Sequence, residues 1–357
     1  MASAIFAQSA VALVSTWQGP LTVAASQLSD ACASTVLSDV TEGMQFRAML
    51  LGCQHRIIFL SGSPAAGFHV EQTPIKVSPN VGGDDLGSAL AADSTGTYLF
   101  IGYPYHGEIW KRTNAGVYRR IATVRGPTTN ERLLNDNGAI GLAAHAGRWV
   151  FAVAGVAGIH AVQNFGADAG KLHLIYPSTE ARDLLNQTQL YWPSTGGPSL
   201  LTFGTNDSRP SVGSYELGTY ARGRWRGLRA IASESTKGSF STGWSGVVQS
   251  GSTVGLLVTG NKGSNELLLL SGGHIDRVPV PYRGEIDGLT TDAGQFTIVG
   301  RKVASAYLAA YTAGSWTEVP VPLISQQSSR VVGWMTTPNG EAVYEQAASG
   351  PLYVYYQ

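Results

Sequence analysis

A glycine recurs at the same place in five stretches of this chain: Gly116, Gly170, Gly223, Gly273 and Gly314, spaced 54, 53, 50 and 41 residues apart. Two residues after each comes a large apolar side chain, Tyr118, Leu172, Trp225, Ile275 or Trp316. Tight hairpins need the positive φ that glycine tolerates. Alternation along the strand that follows sends the residue two places on toward a neighbouring sheet. A repeat of roughly 50 residues built from short strands is the period of a propeller blade. The five apolar residues are therefore expected at equivalent, buried positions between blades.

The clearest copy is Leu86–Val124, LGSALAADSTGTYLFIGYPYHGEIWKRTNAGVYRRIATV. Its apolar runs, Ala89–Ala91, Tyr98–Gly102, Glu108–Lys111 and Tyr118–Val124, alternate with turn formers at Asp93–Gly96, Pro104–Gly107 and Asn114–Gly116. That rhythm predicts a four-stranded antiparallel meander. Further copies are read at 46–78, 138–176, 198–232, 243–280 and 286–321. The last stretch, 331–357, holds three strands only, and Ala4–Ser15 is a spare strand at the start. Pairing the two removes both exposed edges. The expectation is an all-β closed β-propeller of seven four-stranded blades, or six if 46–78 is an extension. All 357 residues then form one domain, with 1–16 as the closing strand, 17–45 as a connecting segment (weakly helical over Gln27–Val40) and 46–357 as blades. Pro177–Gly197 is read as a surface excursion.

Composition narrows the function. Lys+Arg and Asp+Glu balance at 24 each, and charged residues are 13% of the chain. With no basic stripe, nucleic acid is not an expected partner. No apolar run reaches the ~18 residues of a membrane span. The N-terminal segment lacks the basic start of a signal peptide and is read as structure. Cys32 and Cys53 lie in different predicted elements and could pair, but two cysteines do not make a disulfide framework, and they are read as buried free thiols.

Leu86-Gly87-Ser88-Ala89-Leu90, Asp93-Ser94-Thr95-Gly96, Leu99-Phe100-Ile101-Gly102-Tyr103-Pro104 and Gly107-Glu108-Ile109-Trp110 together resemble an FG-GAP repeat, the unit of the integrin α-subunit propeller. Leu86 stands where the family pattern has Phe, and Tyr103 where it has Ala. The resemblance is partial over 138–176 and is one of rhythm elsewhere. It implies a propeller. It does not bring the family's calcium loop, because Asp93–Gly96 offers one carboxylate and His145–Arg148 none, whereas a hard cation needs several converging oxygens.

Catalytic signatures are missing too. The seven histidines have no metal-ligand spacing, Gly243-Trp244-Ser245-Gly246 is not a nucleophile elbow, and Asp84–Asp85 reads as a solvated turn. No metal, cofactor or catalytic residue is expected, so the chain is read as a non-enzyme. The suggestive side chains are aromatic: Tyr103, Tyr105 and His106 in one loop, and Tyr191 and Trp192 in the excursion. Exposed Tyr and Trp suit interfaces and sugar faces. The expected role is a binding or assembly module within a larger particle, such as a virion or phage, or in an extracellular or cell-surface assembly. Its partners would be other protein subunits, or a host-surface glycan or receptor. The alternatives are a glycan-binding adhesin or lectin, and a carbohydrate-active propeller enzyme.

Overall fold

The structure, a computed structural model, describes residues 18–23, 35–42, 45–51, 56–63, 66–77, 87–103, 105–126, 140–155, 158–177, 188–193, 195–206, 209–235, 243–259, 265–281, 286–292, 295–302, 305–312, 314–322, 329–337, 340–347 and 352–356. Among these residues there are strands and turns and no helix, hence none long and apolar enough to cross a membrane. Cys32, Cys53 and Asp84–Asp85 lie outside the described residues.

The strands form seven antiparallel sheets. In chain order the first contains Thr35–Glu42, Gln45–Leu51, Arg56–Ser63 and Gly67–Lys76. The second contains Gly87–Asp93, Gly96–Gly102, His106–Thr113 and Tyr118–Arg125. The third contains Ile140–His145, Arg148–Gly155, Gly158–Gln163 and His173–Pro177. The fourth contains Thr188–Tyr191, Ser199–Asn206 and Arg209–Ala221, with Arg224–Trp225 and Arg229–Ser235 both paired to the last of these. The fifth contains Gly243–Ser250, Thr253–Thr259, Asn265–Ser271 and His274–Pro279. The sixth contains Ile286–Asp292, Gln295–Lys302, Ser305–Thr312 and Ser315–Pro322. The seventh contains Ser329–Thr337, Gly340–Ala347 and Leu352–Tyr356, joined by Gln18–Val23.

Strand composition follows position. Gly96–Gly102 reads GTYLFIG and is buried along its whole length, as a strand covered on both faces must be. The outermost strand of the same sheet, Tyr118–Arg125, exposes three arginines and buries only Val124. The core therefore lies between sheets. Phe100 of the second sheet stacks on Phe151 of the third with ring centroids 4.1 Å apart, in one apolar cluster with Tyr98, Trp149 and Val162. The leading strand of each sheet touches the leading strand of the next, and Ser329–Thr337 touches Thr35–Glu42.

Gln18–Val23 runs antiparallel to Leu352–Tyr356, with Leu21 opposite Val354 and Val23 opposite Leu352. The chain start thus completes the C-terminal sheet, but with a strand later than expected: Ala4–Ser15 lies outside the described residues. Two further strands lie where a connecting segment and an excursion were expected. Thr35–Glu42 leads the first sheet in place of a weak helix, and its two valines and two threonines favour the pleated conformation. Thr188–Tyr191 leads the fourth.

The repeat glycines are turn glycines: Gly116, Gly170, Gly223, Gly273 and Gly314 have φ between 76° and 88°. The five apolar residues after them are half-buried rather than fully buried, and each packs against the seam to the preceding sheet. Tyr118 stacks on Phe59 of the first sheet at 6.1 Å. The Trp225 indole donates to Gln163 Oε1 of the third sheet at 3.1 Å, and the Trp316 indole donates to the Pro279 carbonyl of the fifth at 3.0 Å.

Candidate binding surfaces

Successive antiparallel strands place the first and third turns of a sheet at one end and the second at the other. Neighbouring sheets share this orientation. Asp93 Oδ2, at the first turn of the second sheet, accepts the Gly147 N–H from the first turn of the third at 2.7 Å. His145 of that third-sheet turn stacks on Trp192, after the leading strand of the fourth, at 5.7 Å. Trp192 thus belongs to the end that carries Asp93 and His145. The connection Tyr103–His106 is the second turn of the second sheet, so it lies at the opposite end. The sequence-predicted aromatics are two separate surfaces.

At the Tyr103 end, the Tyr103 N–H donates to the His106 carbonyl at 2.7 Å and closes the hairpin. Their rings stack at 4.7 Å. Tyr103 is half-buried against the seam of the first and second sheets. Burial, with Glu108 nearby, pushes its phenol above the usual range. Tyr105 forms the apex and is 55% exposed, the most exposed large apolar side chain among the described residues.

At the other end, Tyr191 faces inward. It packs on the fourth-to-fifth seam, its hydroxyl donates to Gln249 Oε1 at 3.3 Å, and burial outweighs a Ser199 hydrogen bond to hold its phenol well above the usual range. Tyr191 is therefore a seam residue, as its place in a strand dictates. Trp192 is half-buried on the third-to-fourth seam, with its indole donating to the Gly196 carbonyl at 3.2 Å. One side meets exposed His145 and another meets Phe165, whose ring lies 5.5 Å away. His145 and Phe165 were not singled out from sequence, because the contact joins turns from two sheets and has no local spacing.

Asp93, the carboxylate of the calcium-like turn, is occupied by donors. Besides Gly147, its Oδ1 accepts the Thr95 N–H at 2.7 Å and the Thr95 hydroxyl at 2.6 Å. It ties two adjacent sheets together. Among the described residues no three His, Cys, Asp or Glu side chains gather as a metal site would require.

One cluster has groups of a catalytic kind. Glu71 of the first sheet accepts the Tyr118 hydroxyl at 2.6 Å, Arg112 Nε at 2.8 Å and Arg47 Nη1 at 3.3 Å. Arg47 also donates to Ser61 and Gln45. A tyrosine beside a carboxylate serves as a nucleophile in some glycosidases, but activation needs a lowered phenol pKa. Here burial and the Glu71 charge push Tyr118 far above the usual range. Burial raises Glu71, yet hydrogen bonds from Arg112 and Tyr118 and both guanidinium charges hold it below an ordinary glutamate. The arrangement is a charged clasp across a seam. A depressed carboxylate stabilises the fold above its unfolded pKa, and that contribution is lost as pH falls through the folded pKa. The melting temperature is expected to fall as the pH drops below about 4.5, the ordinary glutamate value. In Glu71→Gln the acid-side fall should be shallower from a lower start, as read by melting curves from pH 7 to 3. Parallel curves for the two proteins would remove Glu71 from the acid response.

No family model matches this chain, and no curated protein does. Solved structures do. YCF48 from Cyanidioschyzon merolae is 11% identical with a TM-score of 0.52, over 96% of this chain and 98% of that one. A triple-arginine mutant of AofleA from Arthrobotrys oligospora is 11% identical with a TM-score of 0.53, over 87% and 91%. The β-propeller domain of the Trilobed protease from Pyrococcus furiosus is 10% identical with a TM-score of 0.50, over 92% and 96%. The chain has the β-propeller fold. The integrin-like resemblance of 86–110 is supported at the level of that fold. The Pyrococcus domain is described as an open Velcro; here the first and last described strands are hydrogen-bonded neighbours.

Proposed function

We propose that this chain is a non-enzymatic binding or assembly module, its seven sheets the blades of a closed ring and its two ends separate contact surfaces. The single observation that carries the reading is the division of the aromatic surface. Tyr105 projects at one end and the His145–Trp192 stack lies at the other, each on turns held by rigid sheets. Loops on such a scaffold are where specificity resides. A module with a contact surface at each end suits bridging within a larger assembly. The contacts between successive leading strands, and the pairing of Gln18–Val23 with Leu352–Tyr356, support the closed ring. The locked state of Tyr118 and Glu71 supports the non-catalytic reading.

In-cell cross-linking tests the division. Tyr105→Ala is expected to lose one set of cross-linked neighbours and His145→Ala another, with stability changed by less than about 0.5 kcal/mol, as for ordinary surface positions. Trp192→Ala should also lose stability, because the indole is partly an edge cap. Loss of the same neighbours in both surface variants would collapse the two surfaces into one. The second reading, glycan binding, is favoured by the exposed His145 ring, backed by the Trp192 indole stacked on it at 5.7 Å, since an aromatic pair with one wet side suits a binding surface. On a glycan array it requires binding that His145→Ala weakens. Turnover of any glycoside would overturn the non-enzymatic reading.

A further inference from the structure

The outermost strand of the fourth sheet is broken. Arg224–Trp225 and Arg229–Ser235 both pair with Arg209–Ala221, and residues 226–228 bulge between them. The break is held from the third sheet. The Tyr176 hydroxyl donates to the Arg226 carbonyl at 2.7 Å, passing over Gly218, where a Cβ would stand 2.0 Å from that hydroxyl. Tyr176 itself is 1% exposed. Bulges of this kind re-aim side chains, and what this one displays is arginine. Arg222 and Gly223 form the preceding turn with φ of 52° and 81°. Arg222, Arg224 and Arg229 are exposed and Arg226 is half-buried. Trp225 turns toward the third-sheet seam, so alternation sends Arg224 outward. Residues 209–229 contain five arginines and one acidic residue, Glu216.

Charge is unevenly spread along the sequence although the chain is neutral. Residues 109–229 carry 14 basic and 7 acidic residues, residues 1–108 carry 3 and 8, and residues 230–357 carry 7 and 9. We infer that the Arg222–Arg229 hairpin is a docking site for a short acidic segment of a partner protein. This inference rests on the reading of the chain as a protein-contact module. Guanidinium groups match carboxylates in bidentate geometry. A short segment can remain on the basic patch. The fifth sheet beside the hairpin does not extend the basic surface, the charged residues of its strands being Glu266, Asp276 and Arg277, whereas a long polyanion such as nucleic acid or a sulfated glycan needs basic surface beyond the hairpin. Steering by such a patch speeds encounter and makes it salt-dependent.

The test uses the full chain, a fluorescent glutamate decapeptide, a short DNA duplex and heparin, at two salt concentrations. The decapeptide should bind at low salt and weaken as salt rises. The triple variant R222Q/R224Q/R226Q should weaken it by at least about tenfold, as expected for charge-assisted hydrogen bonds lost together. The corresponding Lys variant should recover only part of the affinity. Melting temperatures of both variants should match the parent, and R119Q/R120Q, on the second sheet, should bind like the parent. No decapeptide binding, equal binding by the Gln variant, or DNA or heparin bound more tightly than the decapeptide would each overturn the inference. None of these results bears on Tyr105 or His145, whose variants leave the hairpin intact.

Discussion

Trp225→Ala is expected to destabilise the protein by about 3 kcal/mol, the low end of the range for truncating a large aromatic, because the side chain is half-buried. Its indole touches both sides of one seam. It meets Tyr176 of the third sheet at 6.1 Å and Tyr220 of its own sheet at 5.8 Å, both edge-on. Its N–H satisfies Gln163 Oε1, and Gln163 is 1% exposed. The substitution therefore opens a cavity and strands a buried amide oxygen, and the second effect costs about 1–3 kcal/mol. Trp225→Phe separates the two by keeping most of the ring volume and removing the donor. Urea denaturation should place Trp225→Phe between the parent and Trp225→Ala. A loss below about 0.5 kcal/mol in the Ala variant, the level of an ordinary surface change, would mean that this seam does not hold the sheets together.

That tryptophan was legible in sequence because the repeat glycine precedes it by two residues. The same rule found Tyr118, Leu172, Ile275 and Trp316. What it found was the seam, where period and alternation act together, and the half-burial follows because outermost strands have solvent on one side. Strands with weak local signals were misread. Thr35–Glu42 mixes Ser, Asp and Thr with its apolar residues, and Thr188–Tyr191 is only four residues long. Both are strands because a leading strand of the neighbouring sheet packs on them, which a local pattern does not encode. The same limit applies to the surfaces. Tyr105 stands out in a hairpin turn, whereas the His145–Trp192–Phe165 contact joins turns 20 to 47 residues apart. Tyr191, grouped with Trp192 from sequence, points the other way, as adjacent residues at a strand end do.

Deleting residues 1–23 should cost more than Trp225→Ala. The deletion removes Gln18–Val23 and leaves Leu352–Tyr356 as an open edge. Four residue pairs form that ladder. At a net of about 1 kcal/mol for each backbone hydrogen bond, the loss is about 4 kcal/mol, against a typical total of about 5–15 kcal/mol. The exposed edge is also a template for pairing with a second chain, so the truncated protein is expected to self-associate as well as to melt early. Deletion of residues 1–16 is the matched control, since it keeps Gln18–Val23: the difference in stability between the two deletions is the share of that strand. A synthetic peptide of residues 17–24, added in excess, should bind the vacant edge and raise the melting temperature of the 1–23 deletion with concentration, as any ligand of the native state does. The same peptide should leave the parent unchanged, because its edge is already filled. If the 1–23 deletion melts with the parent and ignores the peptide, the pairing of the terminal strands does not stabilise the fold. The seams between sheets would then carry that load alone.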